Sequence, residues 1–190
     1  MHRLTTADCT LVVVDMQERL LAAMPDAPGL IRNVAFLIDC AKLLHLPVLA
    51  AEQYPKGLGP THPELARRLP GERPAKTAFS CCGSAEFFRE LVVSNRRQVV
   101  LTGIETHVCL MQTAFDLIKA GITVFLPVDA TMSRFPLDRD IAIQRLDRAG
   151  AVLTTSEAVP FEWMADASHP QFKAMSKLVV ERGQAMAGQS

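Results

Sequence analysis

Hydrophobic and polar positions along the chain follow two alternating periods. Short apolar runs rich in β-branched residues are typical of strands buried on both faces, and they alternate with segments in which apolar residues recur every three or four positions, as on one face of a helix. The strands are predicted at Cys9–Asp15, Pro47–Ala51, Gln98–Gly103, Ile122–Val128 and Ala151–Thr154. The helices are predicted at Gly29–Leu44, Ala85–Val93, His107–Ala120, Leu137–Ala149 and Gln171–Arg182.

This alternation predicts the fold class. Strands that alternate with helices at this spacing require right-handed parallel crossovers. We therefore expect an α/β protein, a three-layer α/β/α sandwich with a mostly parallel, doubly wound (Rossmann-like) sheet. One domain should span 1–190, ending in a helix at about 171–182 and a polar tail at 183–190, with Ser84 and Ser156 as helix N-caps. The stretch Glu52–Cys82 has no clear element, and a loop of that length is usually functional.

Composition narrows the class of partner. The 190 residues include 20 Lys plus Arg and 20 Asp plus Glu, giving a formal net charge of +0. This balance gives no electrostatic reason to bind nucleic acid or anionic lipid. No apolar run approaches a membrane span, and the N-terminus lacks a signal-peptide core, so we expect a cytoplasmic protein. The five cysteines are then expected to be reduced thiols.

Three residues that could carry chemistry fall near predicted strand ends. Asp15 ends the first strand, Lys76 lies in the long loop, and Cys109 follows the third strand at the start of a helix. In a parallel sheet they would meet at one edge. The helix N-terminus should lower the pKa of the Cys109 thiol, Asp15 could move its proton, and Lys76 could keep that carboxylate ionised. The alternative is that Cys109 is a small buried apolar residue, Asp15 a cap and Lys76 solvated.

Three segments resemble the signature blocks of the isochorismatase-like cysteine hydrolase superfamily. They are Leu11–Gln17, Lys76–Ser80 and Leu101–Cys109, in that order. The resemblance covers about 6–157, which would be the catalytic core, and it implies that Asp15, Lys76 and Cys109 form a catalytic triad. It further implies a cis peptide bond between Ile104 and Glu105. Backbone N–H groups near Glu105 and of Cys109 would then form an oxyanion hole.

Departures from the superfamily pattern narrow the expected substrate. Nicotinamidases carry an Asp-x-His pair after the second strand as metal ligands, whereas this chain has Glu52-Gln53-Tyr54. We therefore expect no metal and no other cofactor. The resemblance implies a small-molecule substrate, and the cysteine at position 109 favours amide, carbamoyl or related acyl chemistry over vinyl-ether hydrolysis. The stretch Ala51–Thr61 is most similar to the isochorismatase domain-containing protein 2 subgroup, and this similarity implies no particular substrate.

The remaining candidates are less specific. Possible substrate-pocket residues are Gln17, Tyr54, Phe79, Thr106 and Phe135, although the aromatic side chains, together with Trp163, could equally fill the core. His107 is two residues from Cys109, a helical spacing that points it elsewhere, so packing or an oligomer contact is the favoured role. Adjacent Cys81 and Cys82 could be redox-active or inert.

Two functions compete with the hydrolase. The first is a catalytically silent interaction protein on the same fold. The second is a thiol redox protein in which Cys81 or Cys82 resolves a disulfide at Cys109. High hydrophobic content, 49% of residues, also favours a homo-oligomer.

Overall fold

A computed structural model describes residues 3–69, 71 and 73–187, and it has the predicted α/β architecture. The strands within these residues are β1 (Cys9–Val14), β2 (Val48–Gln53), β3 (Ala75–Lys76), β4 (Gln98–Ile104), β5 (Thr123–Pro127), β6 (Thr131–Met132) and β7 (Val152–Thr154). They form one sheet in the order β3-β2-β1-β4-β5-β7, with β6 beside the end of β4, and each of these pairings is parallel.

Helices connect the strands. The α-helices are α1 (Glu18–Leu21), α2 (Ala27–Leu43), α3 (Pro55–Leu58), α4 (Pro63–Ala66), α5 (Ala85–Val93), α6 (Met111–Lys119), α7 (Pro136–Arg148), α8 (Ala158–Met164) and α9 (Phe172–Ala187). A π-helical turn spans Thr106–Leu110, and 3₁₀ turns span Cys81–Gly83 and Val128–Ala130. The long predicted strands and helices are confirmed. None of the described helices is long and apolar enough to cross a membrane.

Several sequence expectations are wrong in detail. The stretch Glu52–Cys82 is not a single loop, because it contains the end of β2, α3, α4 and β3, elements too short for periodicity to reveal. Ser156 is not a cap, since Thr155 Oγ1 accepts the N–H of Ala158. The last helix continues past Arg182 to Ala187, so most of the expected tail is helical; 188–190 lie outside the described residues.

The sheet has an apolar core on each face. Alternate residues of β1 face opposite sides, so Leu11 and Val13 pack with α2, α8 and α9, whereas Val12 and Val14 pack with α5, α6 and α7. The whole of β1 is buried, which explains why its sequence is continuously apolar rather than alternating.

Gly103 allows β1 and β4 to approach closely at their carboxyl ends. It pairs with Val14 and has φ +117°, and a Cβ atom there would lie 2.1 Å from the Val14 carbonyl oxygen. A side chain could not fit without moving a central strand. Glycine at this position therefore brings Asp15, just after β1, beside the segment that carries Cys109.

The last helix is tied to the body of the domain by Arg182. Its guanidinium donates to Asn33 Oδ1 at 3.0 Å, Asp129 Oδ2 at 3.0 Å and Glu157 Oε2 at 3.1 Å. It also lies over the Phe36 ring. These contacts join α9 to α2, to the 3₁₀ turn after β5 and to the segment after β7.

Candidate active site

The carboxyl ends of four neighbouring strands bring four polar side chains together. Asp15 follows β1, Gln53 ends β2, Lys76 ends β3, and Cys109 lies in the turn after β4. Asp15 has φ +53°, a left-handed conformation that an Asp side chain tolerates better than most. Gln53 and Lys76 are paired directly across β2 and β3. The expectation that Asp15, Lys76 and Cys109 lie at one sheet edge therefore agrees with the fold.

Lys76 is the centre of the polar network. Its Nζ atom donates to Asp15 Oδ2 at 2.8 Å, Gln53 Oε1 at 2.6 Å and the Phe79 carbonyl oxygen at 3.0 Å. The side chains of Lys76 and Asp15 are both 0% exposed. All three ammonium hydrogens thus have acceptors, and the ammonium faces a carboxylate. The alternative in which Lys76 is solvated is wrong.

Burial and neighbouring charge both act on the carboxyl of Asp15. Burial raises its pKa, and the Lys76 ammonium opposes that rise. Asp15 Oδ2 is held by Lys76, whereas Oδ1 has no hydrogen-bond partner among the described residues that meets normal geometry. Asp15 therefore has a higher affinity for a proton than an ordinary aspartate.

Cys109 is almost fully buried, with 6% of its surface exposed. Its Sγ atom lies 3.9 Å from Gln53 Oε1. The Asp15 side chain is near enough for a hydrogen bond to influence the pKa of the Cys109 thiol. Burial, followed by the negative charge of Asp15, raises the pKa of the thiol to about 12, against the opposing charge of Lys76. The expectation of a lowered pKa is wrong, because burial and the Asp15 charge raise the thiol pKa by more than the Lys76 charge lowers it.

The turn that carries Cys109 is wider than a regular helical turn. The carbonyl oxygen of Glu105 accepts hydrogen bonds from the N–H groups of Val108 and Leu110. In a regular α-helix the donor would be the N–H of Cys109, four residues on, but among the described residues Cys109 makes no such bond. The peptide bond between Ile104 and Glu105 is cis, as the resemblance implies. The expected regular helix from His107 thus begins as a π turn, a feature often found at functional sites.

Gln53 is a site residue that the sequence analysis missed. Its side-chain oxygen accepts from Lys76, and its Nε2 donates to the Thr77 carbonyl oxygen at 2.9 Å. The sequence analysis considered position 53 only as part of a missing metal motif. The signal that could have identified it is its position at the end of a central strand.

Gln17 was a candidate pocket residue, but its side chain holds backbone instead. Its Oε1 accepts from the Gln53 N–H at 2.8 Å, and its Nε2 donates to the carbonyl oxygens of Gln53 and Gly59 at 3.0 and 2.6 Å. Every strong hydrogen-bonding atom of this amide is engaged, and the residue is buried. Gln17 therefore fixes the Gln53 backbone from outside the network.

The aromatic candidates lie at the surface rather than in the core. Tyr54, Phe79 and Phe135 are 54, 52 and 60% exposed, respectively. Tyr54 follows Gln53, and the carbonyl group of Phe79 binds Lys76. Trp163, in contrast, is buried in the core and is not a pocket residue.

Arg134, next to Phe135, is joined to the segment after β4. Its backbone N–H and its Nε both donate to Glu105 Oε2 at 3.1 Å. The loop after β6 is therefore held beside the turn that carries Cys109, and Phe135 extends from that loop. Thr106, the remaining pocket candidate, is fully buried.

His107 points away from the network, as its spacing predicts. Its Nδ1 lies 2.9 Å from Ser133 Oγ, and its Nε2 lies 3.9 Å from Asp138 Oδ2. These contacts connect the π turn to the loop after β6 and to α7. The side chain borders a groove of about 450 Å³ that Leu137 and Ile141 also line.

The two vicinal cysteines differ in environment. Cys81 is fully buried, and its N–H donates to Thr113 Oγ1, which itself donates to the Cys109 carbonyl oxygen. Cys82 is partly exposed. Of the two thiols, Cys82 is therefore the one that solvent can reach. Both are free thiols.

The described residues contain no group of three or more His, Cys, Asp and Glu side chains able to hold a metal ion. Glu52, in the first position of the altered motif, is engaged elsewhere: its Oε1 accepts from the N–H and hydroxyl of Thr61 and from Arg73 Nε. Burial would raise the pKa of Glu52, but these hydrogen bonds and the Arg73 charge lower it overall. The carboxylate is thus committed to a structural role.

Comparison with known proteins gives a consistent picture. The isochorismatase domain model matches residues 9–158. A relative, isochorismatase domain-containing protein 2A of Mus musculus, is 40% identical over 181 residues, covering 94% of this chain and 86% of the relative.

Two solved structures extend the comparison. The structure called MAR1 ribonuclease from Caenorhabditis elegans has a TM-score of 0.88 and 39% identity, over 94% of this chain and 93% of that one. The YcaC gene product of Escherichia coli, described as an octameric hydrolase of unknown specificity, has a TM-score of 0.88 and 26% identity, over 100% of this chain and 97% of that one.

Proposed function

Because the chain belongs to the isochorismatase family, which has a hydrolase fold, we propose that it is a cysteine hydrolase of small amide or carbamoyl substrates. Cys109 would be the nucleophile, Asp15 the proton carrier and Lys76 the positive charge that supports both. The observation that carries the proposal is the buried Lys76 ammonium, held between Asp15 and Gln53 beside the Cys109 thiol. Burying two opposite charges is costly, and such cost is typical of functional sites.

The first half of the reaction forms an acyl-enzyme. The Cys109 thiol gives its proton to Asp15 as the sulfur attacks the amide carbonyl carbon, and the C=O electron pair moves to the oxygen. The C–N bond then breaks, the C=O bond re-forms, and the nitrogen takes the proton from Asp15 and leaves as ammonia or an amine. A thioester to Cys109 remains.

The second half returns the free enzyme. A water molecule attacks the thioester carbon through its oxygen, and Asp15 takes a proton from that water. The C–S bond breaks, the acid leaves, and the sulfur regains a proton from Asp15. The balance is one amide plus one water giving one acid and one ammonia or amine, so neither a redox partner nor a metal is required.

The pKa directions support proton transfer rather than a resting thiolate. A thiol with a pKa of about 12 is protonated at neutral pH, so it needs a base at the moment of attack. Burial raises the pKa of Asp15, which makes it a better base for a weakly acidic thiol. Lys76 would balance the negative charge that moves between Asp15 and the sulfur.

Backbone N–H groups would hold the oxyanion. The carbonyl oxygen of Glu105 accepts from Val108 and Leu110, so the Cys109 N–H is not directed to its regular helical acceptor. The N–H group of Cys109 and a backbone N–H group near Glu105 would donate hydrogen bonds to the oxyanion. Removing one such donor typically costs about 10²–10³ in kcat.

The proposal can be tested by screening small primary amides and carbamoyl compounds as substrates and measuring the release of ammonia. We expect turnover by the wild type, none above background by C109A, and at least a 100-fold loss by D15N. Cys82→Ala is the matched control, because it removes a neighbouring thiol outside the network and should retain full activity. Equal turnover by C109A and the wild type would refute the assignment of the nucleophile.

A ribonuclease is the alternative that the name of the Caenorhabditis elegans structure raises. The formal net charge of +0 and the buried network argue against a polymeric anion as substrate. Labelled single-stranded and double-stranded RNA should be added to the screen. Cleavage of RNA by the wild type and not by C109A or D15N would favour the ribonuclease.

We also propose that the chain forms a homo-oligomer. The Escherichia coli relative is described as octameric, and here Leu137 and Ile141 expose apolar side chains beside the groove at His107. Sedimentation velocity at micromolar concentration tests this, and a monomer there would refute it.

A further inference from the structure

Thr106 has a buried hydroxyl group with no hydrogen-bond partner. The residue is 0% exposed, and its Oγ1 atom is unpaired among the described residues. An unsatisfied buried hydroxyl destabilises a folded protein, and valine has almost the same shape without that cost. Threonine at this position therefore gives the fold no hydrogen bond that offsets the cost of burying its hydroxyl.

Other buried threonines near the site use their hydroxyl groups. Thr113, in the same helical segment, donates to the Cys109 carbonyl oxygen at 2.7 Å, which is the usual bond to the carbonyl four residues earlier. Thr102 donates to the Val12 carbonyl oxygen at 3.0 Å. Thr106 makes no comparable bond, so its hydroxyl has no acceptor among the described residues.

Thr106 lies in the chain segment that carries Cys109. Thr106 is the first residue of the π turn and precedes Cys109 by three positions, so the two residues belong to the same turn. It follows Glu105, where the proposed oxyanion hole begins. The helical segment 106–119 also presents the positive end of its dipole here.

We propose that the Thr106 hydroxyl donates a hydrogen bond to the carbonyl oxygen of the substrate as that oxygen gains negative charge during attack by Cys109. Thr106 is then a third donor beside the two backbone N–H groups, and it is specific for substrates that present a carbonyl oxygen to the nucleophile. The inference rests on the proposed function.

Variants at position 106 test this role. Thr106→Val removes the hydroxyl at nearly constant shape and should lower kcat at least tenfold with KM changed less than threefold, because the bond forms in the transition state. Thr106→Ser keeps the hydroxyl and should retain kcat within threefold. The midpoint of urea unfolding should be unchanged or higher in T106V. An equal loss of kcat in T106V and T106S, or full kcat in T106V, would overturn the proposal.

The chain offers a matched control in Thr10. Its hydroxyl is also buried and unpaired, but it lies in the amino-terminal half of β1, away from the site. Thr10→Val should match T106V in its effect on stability and leave kcat at the wild-type value. A loss of kcat in T10V equal to that in T106V would show a general effect of the substitution and would overturn the proposal.

A second measurement does not depend on turnover. Acrylamide and iodoacetamide both alkylate thiols and both carry a primary amide, but only addition to acrylamide puts negative charge on the amide oxygen. T106V should slow the reaction of Cys109 with acrylamide at least tenfold and with iodoacetamide less than twofold, as followed by peptide mass mapping.

The outcomes separate the two proposals. Equal rate changes with the two reagents would overturn the role of Thr106 while leaving Cys109 as the nucleophile. A Cys109 that reacts with neither reagent in the wild type would overturn the proposed function, and the role of Thr106 with it.

Discussion

Lys76 and Asp15 form an ion pair of 2.8 Å in which neither side chain is exposed to solvent, although 61 residues separate them in the chain. Two features of the fold produce this contact. The register of β2 and β3 places Lys76 opposite Gln53, and the neighbouring strand β1 delivers Asp15. Gln53 accepts a second hydrogen bond from the same ammonium. The pair fixes the charge of the site, so its electrostatics should respond strongly to loss of either member.

Lys76→Met should shift the acid limb of the pH–rate profile to higher pH. The ammonium opposes the rise in the Asp15 pKa that burial causes, so its removal raises that pKa further. The active form of Asp15 is the carboxylate, which exists above its pKa and is lost as the pH falls through it. The kcat/KM profile of K76M should therefore fall off at a higher pH than that of the wild type, with a lower maximum.

Lys56→Met is the control for K76M, because Lys56 lies in α3 outside the network. Its profile should match that of the wild type. A K76M profile with an unshifted acid limb would contradict the role of Lys76 in setting the charge of Asp15.

The position of the candidate site could be predicted from the sequence, whereas its electrostatics could not. Asp15 and Cys109 follow long apolar runs, and parallel strands place such residues at one edge. The thiol pKa was predicted in the wrong direction because a helix terminus can be identified from sequence, but burial and the distance to Asp15 cannot. The role of Gln53 depends on a two-residue strand, β3, which no periodicity indicates.

The short elements were missed for the same reason. A helix of four residues such as α3 or α4 has no second turn in which an apolar face could repeat, so hydrophobic spacing does not distinguish it from a loop. The extension of α9 beyond Arg182 was missed because Gly183 looks like a helix end. Its surroundings are open, so the helix tolerates glycine there.

Gly103→Ala and Gly183→Ala should change stability in opposite directions. A Cβ at position 103 would lie 2.1 Å from the Val14 carbonyl oxygen at a φ of +117°, so we expect a loss of about 3 kcal/mol or more. A Cβ at position 183 meets no atom within 4 Å, and alanine in a helix interior should stabilise by about 0.5–1 kcal/mol. Urea unfolding measures both, and equal midpoints would contradict the close approach of β1 and β4.

Arg182→Met should destabilise the protein without changing the chemistry of the site. The substitution removes three charge-assisted hydrogen bonds and leaves Asp129 partly buried without its cation, which should cost about 2–4 kcal/mol. Arg148→Met is the control, because Arg148 is exposed at the end of α7 and its loss should stay within about 0.5 kcal/mol. Equal unfolding midpoints for the two variants would show that Arg182 does not anchor α9.

Asp15→Asn should separate the reactivity of the Cys109 thiol from catalysis. The negative charge of Asp15 raises the pKa of Cys109, and Lys76 lowers it, so removing the carboxylate leaves the thiol beside an unopposed ammonium and lowers its pKa below the value of about 12. Iodoacetamide reacts with the thiolate, so the rate of alkylation of Cys109 at pH 7 should rise. Amide hydrolysis should fall at least 100-fold, because asparagine cannot carry a proton from the thiol to the leaving group.

Peptide mass mapping distinguishes Cys109 from the partly exposed Cys82, whose rate of alkylation should be the same in both proteins. Slower alkylation of Cys109 in D15N would show that Asp15 also acts as the base for attack on this reagent, and it would contradict the prediction that loss of the carboxylate raises the thiolate fraction.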